Sequence, residues 1–160
     1  MKKKIKLFTG IYLIKKKILK NQIYYFLKTP KISIMISKVN NKFLVVSQNR
    51  IPIGKKLFEF PGGIVDKGQS AKKSAYKELF EETGYRSINT PKKIITLYPD
   101  PGRLDCSYEF FFTNKLEKLS RPEKGINVHL FTEKKILKLI KNRKFAHACH
   151  VAAFYFYISK

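Results

Sequence analysis

The sequence predicts an α/β domain, because segments with the two-residue periodicity of strands alternate with segments that carry helix start and stop signals. The chain has 160 residues, of which 44% are hydrophobic. That length and composition suit one ordinary domain with one buried core. We therefore predict a single domain over residues 1–160, in which the lysine-rich residues 1–30 show no pattern that specifies an element.

The first predicted strands precede the most informative loop of the chain. Residues 31–39 alternate and are rich in isoleucine, and residues 43–47 form an apolar run beyond an Asn-Asn pair. Two such runs on either side of a polar turn predict a β-hairpin. Residues 55–60 alternate again and end at a proline, so a third strand is predicted to lead into the loop.

A helix is predicted from Ala71. Ser70 is a suitable N-cap and Gly84 a suitable stop, and Ala71, Ala75 and Leu79 recur every four residues as one buried stripe. The remaining predicted elements are strands at 94–98, Tyr108–Thr113 and Asn127–Phe131, a helix capped by Thr132 that carries Ile136, Leu137 and Ile140, and an apolar helix at 145–158.

The formal net charge of +23 is extreme, and it comes mainly from lysine. A basic surface can concentrate nucleic acid, anionic membranes or phosphorylated substrates. The alternative is compositional, because Lys, Ile, Phe, Tyr and Asn are abundant together, as codons rich in A and T would produce. The lysines are spread along the chain and form no block, which favours the compositional interpretation. The charge therefore identifies no partner.

Cys106 and Cys149 are too few for a disulfide framework and have no metal-ligand spacing to His129, His147 or His150. Reduced thiols in the cytoplasm are the expectation. The charged opening of the chain has a short apolar run but no cleavage site of small residues, so we predict mature structure there. No apolar run reaches eighteen residues, so no membrane-spanning helix is expected.

The predicted helix from Ala71 carries a cluster of acidic residues. The chain has only 11 acidic residues, yet Glu78, Glu81 and Glu82 fall within five consecutive positions. At these spacings the carboxylates share one helical face and repel each other unless a cation lies among them. Such a cluster in isolation is typical of a solvated acidic surface. Gly62 and Gly63 before the helix favour a ligand site, since they let the backbone approach closely, and Gly84 ends the helix at the required place.

Residues 61–85, PGGIVDKGQSAKKSAYKELFEETGY, resemble the Nudix box. The pattern of that box is a glycine, five residues, a glutamate, seven residues, Arg-Glu, an apolar residue, any residue, Glu-Glu, any residue, a glycine and an apolar residue. Gly63 occupies the first position, and Glu78, Glu81 and Glu82 occupy the last three acidic positions without a gap. The length of the match makes the chain a predicted member of the family.

Two positions of the box are altered. Gln69 stands where the family has a glutamate, and Lys77 stands where it has an arginine. In the family these residues support the loop and orient the glutamates. An amide near an ammonium could replace a carboxylate near a guanidinium without an unpaired charge, although lysine lacks the forked contact of arginine. The exchange makes reduced or altered activity one of the expectations.

The resemblance implies a Nudix-type α/β/α sandwich around a mixed β-sheet, with Mg²⁺ or Mn²⁺ held by the Gly62 carbonyl, Glu78, Glu81 and Glu82. The implied reaction is hydrolysis of a nucleoside diphosphate derivative, NDP-X, to a nucleoside monophosphate and a second phosphate. A bound cation would neutralise the pyrophosphate and lower the pKa of an attacking water.

The reaction also needs a proton acceptor for that water. Glu81, Glu109 and Glu123 are the candidates, and the sequence does not choose among them.

Two further stretches resemble the ADP-ribose pyrophosphatase branch of the family. They are SQNRIPIGKKLFEFPGG at 47–63 and YPDPGR at 98–103. ADP-ribose or a related nucleotide sugar is the implied substrate. The implied substrate-binding residues are Arg50, Glu59, Pro101, Gly102 and Arg103. An ordinary turn is the alternative interpretation of the Pro-Gly pair.

Other functions stay open within the family. One is hydrolysis of a dinucleoside polyphosphate, a nucleoside triphosphate or capped RNA, and another is a non-catalytic basic module that binds nucleotide or RNA. Retention of the three clustered glutamates favours catalysis. No membrane partner is expected and nucleic acid is not required, whereas a homodimer is common in this branch.

Two features near the C-terminus favour structural roles. His147 and His150 lack further partners at metal-ligand spacing, so packing or surface exposure is predicted. The aromatic stripe at 154–157 is predicted to lie in the core or in a dimer interface.

Overall fold

The computed structural model describes residues 2–8, 10–17 and 22–160. The strands in chain order are β1 (Lys2–Phe8), β2 (Ile11–Lys17), β3 (Ile23–Lys28), β4 (Ile32–Val39), β5 (Lys42–Arg50), β6 (Lys55–Glu59), β7 (Gly62–Ile64), β8 (Tyr85–Ser87), β9 (Lys92–Leu97), β10 (Leu104–Asp105), β11 (Tyr108–Thr113), β12 (Leu116–Lys118) and β13 (Asn127–Phe131). The helices are α1 (Ala71–Thr83), α2 (Glu133–Lys141) and α3 (Ala148–Ile158).

A mixed sheet lies at the centre of the fold. Five strands follow the order β13-β5-β4-β11-β9, with β6 paired to β5 and β7 paired to β4. Strands β4 and β11 are parallel, and the other pairs are antiparallel. Because β4 is the middle strand, residues 33–37 of it are all buried. This explains why its sequence reads as an apolar run.

Side chains of β4 alternate between two cores. Ile34 and Ile36 pack with Phe154 and the other buried residues below α2 and α3. Met35 points the other way and packs with Leu79 of α1. Helix α1 therefore covers one face of the sheet, and α2 and α3 cover the other. The predicted α/β class and the α/β/α sandwich are confirmed.

Several predicted elements are confirmed with nearly the predicted bounds. The β4–β5 hairpin turns at Asn40 and Asn41, which both have positive φ, of 47° and 61°. Asparagine tolerates this left-handed region better than most residues. Helix α1 begins at Ala71 as predicted, and β11 and β13 span the predicted residues.

The prediction of a helix over 145–158 was wrong at its start. Helix α3 begins at Ala148, and the segment between α2 and α3 turns through Arg143 with a φ of 56°. Phe145 is fully buried in the connecting segment. Its apolar character reflects packing into the core and does not extend the helix.

The N-terminal segment, for which no element was predicted, forms a sheet of its own. Strands β1, β2 and β3 are antiparallel neighbours, and the short β10 joins β3 in parallel. Among the side chains that the structure describes in this sheet, Ile14 is buried. The Lys4 ammonium lies 3.5 Å from the centre of the Tyr12 ring. Because lysines occupy many positions in these strands, their sequence does not show the alternation of apolar and polar residues that would have predicted them.

The described parts of the chain contain no helix that is both long enough and apolar enough to cross a membrane. Cys106 and Cys149 are free and buried. Of the aromatic stripe, Phe154 lies in the core as predicted, whereas Tyr155 and Phe156 are partly exposed. His150 is buried, as the packing interpretation predicts.

Candidate active site

Helix α1 is delimited by the residues that the sequence indicated. The hydroxyl of Ser70 accepts a hydrogen bond from the Lys73 backbone N–H at 3.2 Å. Gly84 ends the helix with a φ of 70°, and a Cβ there would lie 2.1 Å from the Ser120 carbonyl oxygen. A side chain is therefore excluded by both backbone conformation and contact. The helix presents its glutamates toward the loop that precedes it.

Glu82 ties the helix to that loop. Its carboxylate is buried and accepts a hydrogen bond from the Gly62 backbone N–H at 2.9 Å. Burial raises its pKa to about 7, the Gly62 hydrogen bond opposes the rise, and the neighbouring Glu78 charge adds to it. A buried carboxylate of this kind gains from a nearby cation.

Glu78 lies against the second glycine of the loop. A Cβ on Gly63 would be 2.6 Å from the Glu78 carboxylate, so a side chain at position 63 would displace the carboxylate from its present place. Burial, followed by the charge of Glu81, raises the pKa of Glu78. Among the described residues it has neither a hydrogen bond nor an ion pair. Glu78 is thus a half-buried carboxylate that pairs with no cationic side chain in the part of the chain that the structure describes.

The altered box positions do not support each other in the predicted way. The Lys77 ammonium lies 3.5 Å from a carboxylate oxygen of Asp66 and 3.9 Å from one of Glu81. Within the described residues the Gln69 side-chain oxygen is buried without a hydrogen-bond partner, so the expected amide–ammonium contact does not form. Asp66, which sequence reasoning did not select, supplies the acidic partner of Lys77.

The candidate proton acceptors differ in their surroundings. Glu123 is exposed, and its backbone N–H donates to the Glu81 carbonyl at 2.9 Å, which places it at the end of α1. Glu109 instead pairs with Lys93 at 2.8 Å and with Lys31 at 3.6 Å. The hydrogen bond from Lys93 lowers the pKa of Glu109. Glu109 is therefore a poor proton acceptor.

A cavity of about 580 Å³ lies beside the loop. Gly62 and Gly63 line it, as do Arg50 and Glu59, which form a bidentate ion pair. This volume falls within the usual range of small-molecule sites. The predicted Arg50 and Glu59 are thus brought next to the loop. The other residues lining the cavity include Ile32, Ile34, Ile53, Leu57, Tyr108, His147 and His150.

The predicted loop at 101–103 is placed elsewhere. Tyr24 of the N-terminal sheet donates to the Gly102 carbonyl, and Arg103 pairs with Asp100 at 2.7 Å. Pro101 lines a second cavity of about 730 Å³. The structure does not bring these residues to the cavity that Gly62 and Arg50 line.

The donor groups near α1 suit a divalent cation. Within the described ranges, no three acidic, histidine or cysteine side chains converge closely enough to form a complete metal cage. Mg²⁺ does not need one, because it takes one or two carboxylates and completes its shell with water and substrate phosphate. The unpaired Glu78 and the buried Glu82 fit that requirement.

Three features define the class of this protein. An acidic helix packs against a glycine loop, the helix covers one face of a mixed sheet, and a cavity of small-molecule size lies beside the loop. The family model of the NUDIX domain matches residues 27–149. The chain belongs to the Nudix family, as its box predicted.

Two relatives and one solved structure illustrate the relationship. The ADP-ribose pyrophosphatase of Bacillus subtilis is 31% identical over 108 residues, which are 64% of this chain and 58% of that protein. The ADP-sugar pyrophosphatase of Mus musculus is 36% identical over 64 residues, 40% of this chain and 29% of that protein. The chain therefore spans less than two thirds of either relative.

A solved structure titled as that of an ADP compounds hydrolase has a TM-score of 0.82 to this chain. The matched region covers 99% of this chain and 90% of the chain in that structure, at 12% sequence identity. At that identity the likeness concerns the fold. Tyr108, which lines the cavity, and Asp66, which pairs with Lys77, were not selected from the sequence, since no motif marks them.

Proposed function

We propose that the protein hydrolyses a nucleoside diphosphate derivative, with ADP-ribose or a related nucleotide sugar as substrate and Mg²⁺ as cofactor. The observation that carries the proposal is the position of Glu78 and Glu82. One is unpaired against Gly63, the other is bonded to Gly62, and both are next to a cavity of about 580 Å³. The names of the two curated relatives support the choice of substrate.

In this proposal Glu78, Glu82 and the Gly62 carbonyl hold the cation, and Glu81 supports them. When bound, Mg²⁺ neutralises the pyrophosphate and lowers the pKa of the attacking water. The hydrogen bond from Gly62 to Glu82 fixes the distance between loop and helix, so the donors are positioned before substrate binds. Lys77 holds Glu81 and Asp66 together in place of the usual arginine.

Glu81 and Glu123 are the proposed proton acceptors. Both lie at the end of α1, where the Glu123 backbone is bonded to that of Glu81. Neither is buried. A carboxylate that is exposed and close to the cation site can take the proton of an attacking water and release it to solvent.

Arg50 and Glu59 are proposed to bind substrate from the wall of the cavity. Glu59 is almost fully buried and holds the Arg50 guanidinium by two hydrogen bonds. An arginine fixed in this way keeps N–H groups free for phosphate or hydroxyl oxygens. For the loop of Pro101, Gly102 and Arg103 the substrate-binding role is proposed on the family resemblance alone.

A second copy of the chain is the proposed protein partner. Strand β1 is at the end of the N-terminal sheet, and that sheet exposes Ile5, Leu7 and Ile23. Unpaired strand edges and exposed apolar groups favour association. Light scattering should give twice the chain mass of 18.7 kDa, and a value of one chain mass at micromolar concentration would contradict the dimer.

The test is a substrate panel with a variant of the cation site. Purified protein with Mg²⁺ is incubated with ADP-ribose, other NDP-sugars, Ap4A, nucleoside triphosphates and capped RNA. We expect ADP-ribose to be turned over, and Glu82→Gln to lower kcat by about 100-fold or more, because cation-dependent charge stabilisation amounts to several kcal/mol.

Glu133→Gln is the matched control, since Glu133 begins α2 on the opposite face of the sheet. It should retain the activity of the unmodified chain. Equal activity of Glu82→Gln and the unmodified chain would contradict the proposal. So would turnover of nothing together with tight RNA binding that Glu82→Gln leaves unchanged, which is the behaviour of a non-catalytic binding module.

A further inference from the structure

Lys77 brings a positive charge into the glutamate cluster of α1. Its ammonium lies 3.9 Å from an oxygen of Glu81 and 3.5 Å from an oxygen of Asp66, which belongs to the loop before the helix. In the part of the chain that the structure describes, no other cationic side chain pairs with Glu78, Glu81 or Glu82. An ammonium and a divalent cation attract the same carboxylate oxygens, so Lys77 competes with the proposed cation.

The loop fixes the position of Asp66. The Val65 backbone N–H donates to the Lys31 carbonyl at 2.9 Å, and the Asp66 carbonyl accepts from the Gln69 backbone N–H at 3.0 Å. The backbone is therefore hydrogen-bonded on both sides of the Asp66 side chain. Its carboxylate is presented to Lys77 from a turn that is held in place.

Position 69 does not supply a second carboxylate for Lys77. Gln69 carries no charge, and its side-chain oxygen is buried without a hydrogen-bond partner among the described residues. In the same part of the chain Lys77 has two acidic partners, Asp66 and Glu81. If Asp66 lost its charge, Glu81 would remain, and the flexible lysine stem would let the ammonium move to it.

The charge of Lys77 also acts on Glu78. Burial and the charge of Glu81 raise the pKa of Glu78, and the charge of Lys77 opposes that rise. The place of the ammonium thus affects two of the residues that the proposed function assigns to the cation.

We infer that Asp66 is a positioning residue, which holds the Lys77 ammonium between loop and helix and so leaves the glutamates of α1 available to the cation. The inference rests on the proposed function, since it assumes that these glutamates hold that cation. About half of each side chain in this ion-pair group is exposed. Exposed ion pairs shift an equilibrium by up to about fivefold, which sets the expected size of the effect.

Titration with Mn²⁺ alone measures cation affinity without turnover. Mn²⁺ takes the same oxygen ligands as Mg²⁺, and the electron paramagnetic resonance signal of the free ion reports how much is bound. The titration compares the unmodified chain, Asp66→Asn, Lys77→Gln and the double variant at low ionic strength, where charges are weakly screened.

The expected result is that the effect of Asp66 depends on Lys77. With Lys77 present, Asp66→Asn should raise Kd about fivefold, or about 1 kcal/mol. In the Lys77→Gln background the same change should raise Kd by less than about twofold, because no ammonium is left to move. A charge effect of Asp66 that is independent of Lys77 would instead be equal in both backgrounds.

Two control variants separate this contact from general loss of charge. Asp66→Glu keeps a carboxylate for Lys77 and should keep Kd within about twofold of the unmodified chain. Glu117→Gln breaks another exposed ion pair, that with Arg86, and removes the same charge from β12. It should also keep Kd within about twofold. All variants should have the urea midpoint of the unmodified chain, because exposed pairs contribute little to folding.

Turnover of ADP-ribose at varied Mg²⁺ gives a second readout. Asp66→Asn should raise the half-saturating Mg²⁺ concentration about fivefold and keep kcat at saturating Mg²⁺ within about threefold, because excess Mg²⁺ displaces the ammonium. Failure of the proposed function appears here, as no turnover by the unmodified chain. Failure of the inference appears in the Mn²⁺ titration, as an equal loss of affinity in both backgrounds, as no loss in either, or as no binding to the unmodified chain.

Discussion

Gly63 and Glu78 show how one missing side chain shapes the site. The loop backbone approaches the Glu78 carboxylate so closely that a Cβ at Gly63 would lie 2.6 Å from it. Glu78 is a flexible side chain, so it could move away from a methyl group at small cost to folding. The glycine at this position therefore serves the orientation of the glutamate more than the stability of the loop.

This contact gives a prediction at the residue scale. Gly63→Ala should unfold within about 1 kcal/mol of the unmodified chain, because the clashing atoms are the mobile end of a side chain. Its affinity for Mg²⁺ should fall about tenfold or more, since Glu78 is displaced from the other donors. Calorimetric titration with Mg²⁺ and urea denaturation measure the two effects. Unchanged affinity for Mg²⁺ would contradict the proposal that cation binding depends on the position that Gly63 allows for Glu78.

At the scale of elements, His150 joins α3 to the end of β6. Its Nδ1 accepts from the Phe60 backbone N–H, and its ring stacks on that of Phe60 at 6.2 Å between centres. Burial, with the charges of His147 and Arg50, holds the pKa of His150 well below 6.5. The junction therefore needs a neutral imidazole.

The pH dependence of stability follows from that requirement. The unfolded chain protonates His150 near pH 6.5 and the folded chain does not, so stability is lost as the pH falls below 6.5. This residue alone should lower the free energy of unfolding by about 2 kcal/mol from pH 7 to pH 5. Urea denaturation of His150→Asn, whose amide oxygen can accept from Phe60 without titrating, should lack this part of the slope. Parallel pH profiles for the two proteins would contradict the assignment.

The elements near the box could be predicted because their signals are local. Ser70, Gly84 and the spacing of Ala75 and Leu79 specify α1 without reference to the rest of the chain. The N-terminal strands could not be predicted in this way, because lysines cover their alternation and their order depends on pairing with each other. Phe145 misled the prediction of α3 because a buried loop residue and a helical core residue look alike in sequence.

The site was predictable to the same extent. Glu78, Glu82, Gly62, Arg50 and Glu59 were selected from motifs, and the structure places them at one loop and the cavity beside it. The selected loop at 101–103 lies elsewhere, and the pairing of Arg50 with Glu59 was not predicted. Asp66 was missed, since its contact with Lys77 depends on how the loop folds against α1. A motif records residue spacing and carries no information about such a contact.

At the scale of the whole molecule, the acidic site is set in a chain of net charge +23. In the proposed reaction the clustered glutamates hold the cation that neutralises the substrate's pyrophosphate. The two cores and the mixed sheet keep the loop, α1 and the start of α3 in fixed relation. We propose that this arrangement hydrolyses a nucleotide sugar in a cation-dependent way.

Phosphorus NMR of ADP-ribose incubated with the unmodified chain tests that claim most directly. With Mg²⁺ present, the two pyrophosphate signals should be replaced by those of AMP and ribose 5-phosphate in equal amounts. Excess EDTA should stop the conversion, and restored Mg²⁺ should resume it. Pyrophosphate signals that persist with Mg²⁺, or a conversion that proceeds equally in EDTA, would contradict the account.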